Sequence, residues 1–212
     1  ALYPLRPTPD TVNEVMILIK PSILFAVPTI YAAMIANLKK NSIKYQNLRR
    51  CVSAGEALPS QIGTDWKNIT GVDILDGVGS TEMLHIFLSN KPNDITYGTS
   101  GSAVPGYDLK LVDEYGEEVA IGEIGELLVK GQSSAMCYWN KLTKSRNTFE
   151  GKWTRTGDKY EKIKDQKYSY RGRTDESFKV SGRWISTFEV EQALVSHEIV
   201  LEADVVANPE NE

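Results

Sequence analysis

Apolar and polar positions in the first hundred residues switch between a helical and a strand period. "TPDTVNEVMILIK" has Thr8 placed to cap a helix, Pro9 at its first position and Pro21 as its stop. "SILFAVP" reads as a short buried strand, and "TIYAAMIANLKK" as a helix with basic residues in its last turn, where they complement the dipole. "RRCVSAG" runs from strand into a glycine turn, "PSQIGTDWKNIT" is a modest helix and "VDILDGVG" is the next strand. Strand–helix–strand repetition with short connections predicts an α/β fold, a parallel sheet flanked by helices.

From about Tyr97 the texture changes. "DLKLVDEYGEEV" alternates around a Tyr-Gly turn, "GELLVKG" is another strand, "LTKSRNTF" a short polar helix and "KYEKIKDQKYSYRGR" a hairpin. These predict a small antiparallel, barrel-like β region. A polar run at Thr174–Asp175 marks a boundary, followed by the hairpin "SFKVSGRWIS" and the amphipathic helix "TFEVEQALVSH".

Composition narrows the classes. The chain is 41% apolar and 25% charged with a net charge of −4, as in globular proteins, and has no basic block, which argues against nucleic acid as a partner. No apolar run approaches the ~18 residues of a membrane helix, and no signal-peptide pattern is seen, so a membrane partner is not expected. Cys51 and Cys137 lie far apart, which fits a reducing, cytoplasmic setting. With only His85 and His197, a His-rich metal site is excluded.

Chemistry concentrates in three glycine-bearing stretches that follow strands: "SAGEALP", "DGVGSTE" and "TRTGDKY". Gly77, Gly79, Ser80, Thr81 and Glu82 sit at a strand's carboxyl end, where open α/β sheets bind ligands. Backbone N–H groups with Ser/Thr hydroxyls suit phosphate oxygens. A carboxylate beside them, Glu82, suits a Mg²⁺ bridged to phosphate, and Asp158 suits the two hydroxyls of a ribose. A glycine turn leading into a Ser/Thr helix cap is the plainer alternative for Ser80 and Thr81.

Taken in order, "DGVGSTE", "GELLVKG" with "AMCYW", "WTRTGD" and "RGRTDESFKVSGRW" resemble successive core motifs of the adenylate-forming acyl- and aryl-CoA synthetases. "RPTPDTV", "VPTIYAAM", "SAGEALP", "DGVGSTEMLHIFLSN" and "FKVSGRWIS" resemble the benzoate–CoA ligase branch, and the resemblance covers nearly the whole chain. It implies a two-step reaction: a carboxylate attacks ATP to give an acyl-adenylate, and coenzyme A then displaces AMP. The implied partners are benzoate or an analogue, ATP, coenzyme A and Mg²⁺, with oligomer formation left open.

The same resemblance assigns roles. Thr81 matches the α-phosphate contact, Glu82 the Mg²⁺ ligand and Asp76 the contact to the adenine amino group. Gly55 and Glu56 match the loop on the adenine face, while Asp158 and Arg173 match the ribose contacts, with a plain surface ion pair as the alternative. His85 and Ile86 fall where the branch lines its aryl pocket; Ala54 and Tyr31 are weaker candidates, and a core role for His85 stays open. Asp175 matches the hinge between large and small domains. Lys179 and Gly182 match the hairpin that approaches for thioester formation, the alternative being a solvated hairpin.

On this basis residues 1–96 correspond to part of the second α/β subdomain of the large AMP-binding domain. Residues 97–174 correspond to its antiparallel β subdomain, and 175–212 to the start of a small α+β C-terminal domain. The family's Ser/Thr/Gly-rich phosphate loop and its late adenylation lysine are not found in the chain, and Lys159 stands where the family usually has an apolar residue. A fragment, inactive in adenylation by itself, is therefore expected. A carrier-protein-loading aryl adenylation domain and a non-catalytic binding or scaffold piece are the alternatives.

Overall fold

The computed structural model describes residues 7–41, 44–175, 178–180, 183–195, 197, 199–200 and 203–206. The chain forms two compact units, Ala1–Gly79 with Ile86–Ser102, and Ser80–His85 with Ala103–Glu212.

The first unit begins with α1 (Pro9–Ile19), capped by Thr8, whose hydroxyl accepts the Thr11 N–H while the Thr11 hydroxyl accepts that of Thr8. Lys20 ends it in the left-handed region at φ 50°, just before Pro21. Then follow β1 (Ile23–Ala26), α2 (Pro28–Asn41), β2 (Arg50–Ser53), α3 (Ser60–Thr70) and β3 (Ile74–Gly79), with β1, β2 and β3 parallel. The sheet continues through β4 (Ile86–Ser89) and β5 (Ser102–Ala103), in the order β1-β2-β3-β4-β5.

Helices and sheet are held by one apolar cluster. Trp66 is fully buried, with the ring of Tyr31 edge-on at 4.9 Å, among Met16, Met34, Leu38, Cys51 and Ile74. Each such side chain contributes about 1.5–3 kcal/mol through burial. The single proton of the Tyr31 hydroxyl is shared between the Leu24 and Val52 carbonyls, at 3.1 and 3.0 Å, which ties α2 to β1 and β2. Tyr31 is therefore a core residue and not a pocket aromatic.

Two expectations are revised. The sheet is mixed, because β4 runs antiparallel to β3. Only residues 80–85 separate the two strands, whereas a parallel return needs a crossover of about a dozen residues or more. Strand β1 is also less buried than its apolar run predicts: Ile23 and Phe25 are 42% and 71% exposed. It lies at the sheet's edge, and only Leu24 and Ala26 pack on the core.

The second unit is built on an antiparallel sheet of β6 (Asp108–Val112), β7 (Ile124–Lys130), β9 (Trp153–Lys162) and β10 (Tyr168–Arg173), ordered β10-β9-β7-β6. Leu111, Leu127, Leu128, Val129, Tyr160 and Tyr168 are buried in this unit. The Tyr-Gly turn forms as read, with the Asp113 carboxylate accepting the N–H groups of Tyr115 and Glu117. Its return arm is only a bridge, Val112 to Glu118, so β6 takes β7 as its partner instead. Helix α4 (Leu142–Thr148) leads into β8 (Phe149–Glu150), which pairs with β9. The hairpin of β11 (Phe178–Val180) with β12 (Arg183–Ile185) precedes α5 (Thr187–Val195).

Candidate active site

Register brings the first group of candidates together. Cys51, Val52 and Ser53 of β2 pair with Ile74, Leu75 and Asp76 of β3, so the end of β2 lies beside Asp76 in the middle of β3. Ala54, Gly55 and Glu56 leave the end of β2, with Gly55 at φ +99°, a backbone that only glycine adopts without strain. Gly77 has a different reason to be glycine: a Cβ there would lie 3.1 Å from Ile86 Cδ1, which crosses it from β4.

Asp76 is 4% exposed. Its Oδ2 accepts the Ser100 hydroxyl at 3.2 Å, while Oδ1 makes no hydrogen bond of normal geometry. Burial pushes its carboxyl up to about 7, offset in part by the Ser100 hydroxyl and by the backbone N–H groups of Gly77 and Leu58. The Ser53 hydroxyl, at the paired position of β2, is likewise buried without a partner. Two unsatisfied oxygens therefore sit where the parallel β2–β3 pairing stops, each costing free energy until a partner arrives.

The second unit holds the turn Ser80–His85. No helix follows Ser80 and Thr81; the Met83 N–H bonds Ser80 and the Leu84 N–H bonds the Thr81 carbonyl, with Leu84 at φ 74°. Thr81 is exposed and Glu82 half-buried. The Tyr138 hydroxyl donates to Glu82 Oε1 at 2.5 Å, and the Ala135 N–H donates to the Glu82 carbonyl at 2.7 Å. Lys144 Nζ lies 4.6 Å from the centre of the Tyr138 ring. Burial opposes the charge on Glu82, but the bonds from Tyr138, its own N–H and Ser80, with the charge of Lys144, outweigh it and hold the carboxyl below its ordinary range.

His85 is exposed, and its Nε2 lies 3.1 Å from the Tyr107 hydroxyl, which sits 2.7 Å from Ser133 Oγ. Asp158 and Arg173 face each other across β9 and β10, Nη1 to Oδ1 at 3.1 Å, and Arg173 Nε also reaches Asp175 at 3.0 Å. Gly157, at φ +75°, leaves room for that guanidinium, because a Cβ would lie 3.0 Å from Nη2. Asp175 is exposed, and the Arg173 guanidinium holds its carboxyl below the usual range. Lys179 pairs with Trp184 in the β11–β12 hairpin, and Gly182 lies outside the described residues. Ser53, Ser100, Tyr107, Ser133, Tyr138 and Lys144 are contacts that sequence reasoning missed. Ser53, Tyr138 and Lys144 lay in the quoted stretches "SAGEALP", "AMCYW" and "LTKSRNTF" without a role assigned, and Ser100, Tyr107 and Ser133 reach their partners from outside the quoted motifs.

Among the described residues no helix is long and apolar enough to cross a membrane, and no cluster of three His, Cys, Asp or Glu side chains forms a metal cage. The chain is 57% identical over 206 residues to the 4-hydroxybenzoate–CoA/benzoate–CoA ligase of Rhodopseudomonas palustris and 54% identical over 202 residues to the benzoate–CoA ligase of Thauera aromatica. These matches take in 97% and 95% of the chain but 38% of each relative. In structure it matches an anthranilate CoA ligase crystallised with anthranoyl-AMP, at TM-score 0.92 and 45% identity over 99% of this chain and 40% of that one. A benzoate CoA ligase from Burkholderia xenovorans matches at TM-score 0.87 and 46% identity, over 95% of this chain and 40% of that one. The family model of the AMP-binding enzymes matches residues 2–139, well over half of the sequence, and the chain belongs to that family.

Proposed function

We propose that the full-length protein is an ATP-dependent, AMP-forming aryl-CoA ligase that acts on benzoate or a close analogue in the cytoplasm. The observation that carries this reading is the pair of buried oxygens without a hydrogen bond of normal geometry, Asp76 Oδ1 and Ser53 Oγ, where the pairing of β2 with β3 stops beside the Gly55 loop. A flat heterocycle with an exocyclic amine, such as adenine, supplies the missing donor, with Gly55 and Glu56 against its face. The similarity to ligases of benzoate and hydroxybenzoate supports the aryl acid.

In this reading Asp158 accepts the ribose hydroxyls and Arg173 holds Asp158 in place. Gly77, Gly79, Ser80 and Thr81 bring backbone and hydroxyl donors to the phosphates, where in-line attack needs charge neutralisation and positioning. Glu82 fits Mg²⁺, since such an ion asks the protein for one or two ionised carboxylates and takes its other ligands from phosphate and water. Bound there, Mg²⁺ would supply charge neutralisation at the phosphates. Ala54, His85 and Ile86 line the ring pocket. Asp175 is the hinge between 97–174 and 175–212, and Lys179 and Gly182 lie on the hairpin that serves thioester formation. The α/β part is taken as 1–96.

Asp158→Ala tests the nucleotide assignment. Loss of a charged hydrogen bond worth roughly 1.5–3 kcal/mol should weaken AMP binding about ten- to a hundredfold, read by calorimetry on the full-length protein. Benzoate affinity should hold. Unchanged AMP affinity, or no benzoate-dependent pyrophosphate release by the wild type, would overturn the reading.

A further inference from the structure

Met83, Ser133, Tyr107 and His85 form a chain of polar contacts in which every step needs one proton. Ser133 Oγ lies 2.7 Å from the Met83 carbonyl oxygen and 2.7 Å from Tyr107 Oη, and Tyr107 Oη lies 3.1 Å from His85 Nε2. A carbonyl has no proton to give, so Ser133 donates to Met83. Its only proton is then used, and Ser133 accepts from Tyr107. Tyr107 also has a single hydroxyl proton, so towards the imidazole it is an acceptor. The hydrogen in that contact must come from His85 Nε2. A neutral imidazole carries one N–H, which leaves Nδ1 with a bare lone pair. The phenol has little freedom to leave this arrangement. A Cβ at Gly131 would come within 2.4 Å of Tyr107 Cδ1, and the His85 ring stands edge-on to Tyr107 at 5.7 Å.

The geometry points to Tyr107 and Ser133 as positioning residues that hold neutral His85 as its Nε2–H tautomer, so that Nδ1 is a hydrogen-bond acceptor for aryl acids bearing a ring hydroxyl or amino donor. This rests on the proposal that His85 lines the aryl pocket. A donor-bearing ring gains a hydrogen bond at Nδ1, an unsubstituted ring gains only contact, and a ring bearing only acceptors meets lone pair with lone pair. The order of protons in the chain, and not the presence of histidine alone, then selects the substrate class.

The test joins kinetics on benzoate, hydroxybenzoates and aminobenzoates with ¹⁵N imidazole NMR of the full-length protein, the His85 signal being assigned by its loss in His85→Gln. The wild type should show Nε2–H. Tyr107→Phe keeps the ring but removes the acceptor; the two tautomers should mix, and the kcat/KM ratio of donor-bearing to unsubstituted benzoate should fall about tenfold. Ser133→Ala frees the Tyr107 proton to donate to Nε2, so the tautomer should invert to Nδ1–H and the preference should move towards acceptor-bearing rings such as methoxybenzoates. Should Tyr107→Phe fail to fold, Ser133→Ala decides alone. Persistence of Nε2–H and of the wild-type ratio in the variants that fold overturns the relay. Unchanged ring selectivity in His85→Gln overturns the pocket reading itself, whatever the tautomer.

Discussion

Asp76 and Glu82 stand six positions apart in one motif, "DGVGSTE", and the molecule treats them in opposite ways. Asp76 lies within a strand of the first unit, inside a sheet, where burial drives its carboxyl up to about 7. Glu82 belongs to a turn of the second unit, where Tyr138, Ser80 and Lys144 outweigh a partial burial and keep it ionised. Identical chemistry at the level of the carboxyl group becomes an acid near neutrality in one place and a fixed anion in the other. Such divergence between neighbouring titratable groups marks sites with divided roles. A neutral or weakly ionised Asp76 suits contact with a base edge, whereas a permanent charge suits phosphate and its cation.

Asp76 should give folding its steepest dependence on pH. Its carboxyl sits near 3.8 in the unfolded chain and about 7 in the folded one, so between those values the fold holds a proton that the unfolded chain has released. The Asp76 contribution to stability should therefore be full below about pH 4 and be lost as pH rises to about 7, by about 4 kcal/mol. Asp76→Asn keeps an acceptor for Ser100 and cannot ionise. Melting curves across that range should be flatter for the variant than for the wild type by that amount, and parallel curves would remove the strained acid from the account.

Glu82→Gln tests the other side. It preserves shape and removes the anion, so aryl-acid-dependent pyrophosphate release in the full-length protein should slow by a barrier of about 2–4 kcal/mol, roughly thirty- to a thousandfold. The melting temperature should hardly move. Wild-type release rates would show that the charge is not used.

Tyr138 should account for part of the low Glu82 value. Tyr138→Phe removes the donor on Glu82 while retaining the ring that packs against Phe149 at 5.4 Å. Titration of the Glu82 carboxyl by ¹³C NMR should move upward towards the ordinary carboxylate range, with about 1 kcal/mol of stability lost. An unmoved titration would assign the low value to Ser80 and Lys144 instead.

Much of the fold was legible because local rules govern it. The Thr8–Pro9 helix start, the short polar helix at 142–148 and the β9–β10 hairpin follow from capping, composition and turn chemistry over a few residues. The direction of β4 was not legible, since an apolar run after a glycine turn has the same pattern in a parallel or antiparallel strand. The exposure of Phe25 was hidden for a related reason: an apolar strand reads alike at a sheet's edge and at its centre.

The order of helices and strands, the glycines and hydroxyls after strands and the family that those motifs resemble can all be read from residues close together along the chain. Tertiary structure alone decided how the candidate groups are tuned. Asp76 meets Ser100 across 24 positions, His85 meets Tyr107 across 22, Ser133 reaches Met83 across 50 and Tyr138 reaches Glu82 across 56. No pattern along the chain encodes such pairings. Ionisation and tautomer depend on burial and on donors within about 3 Å, and those neighbours exist only once the strands have paired.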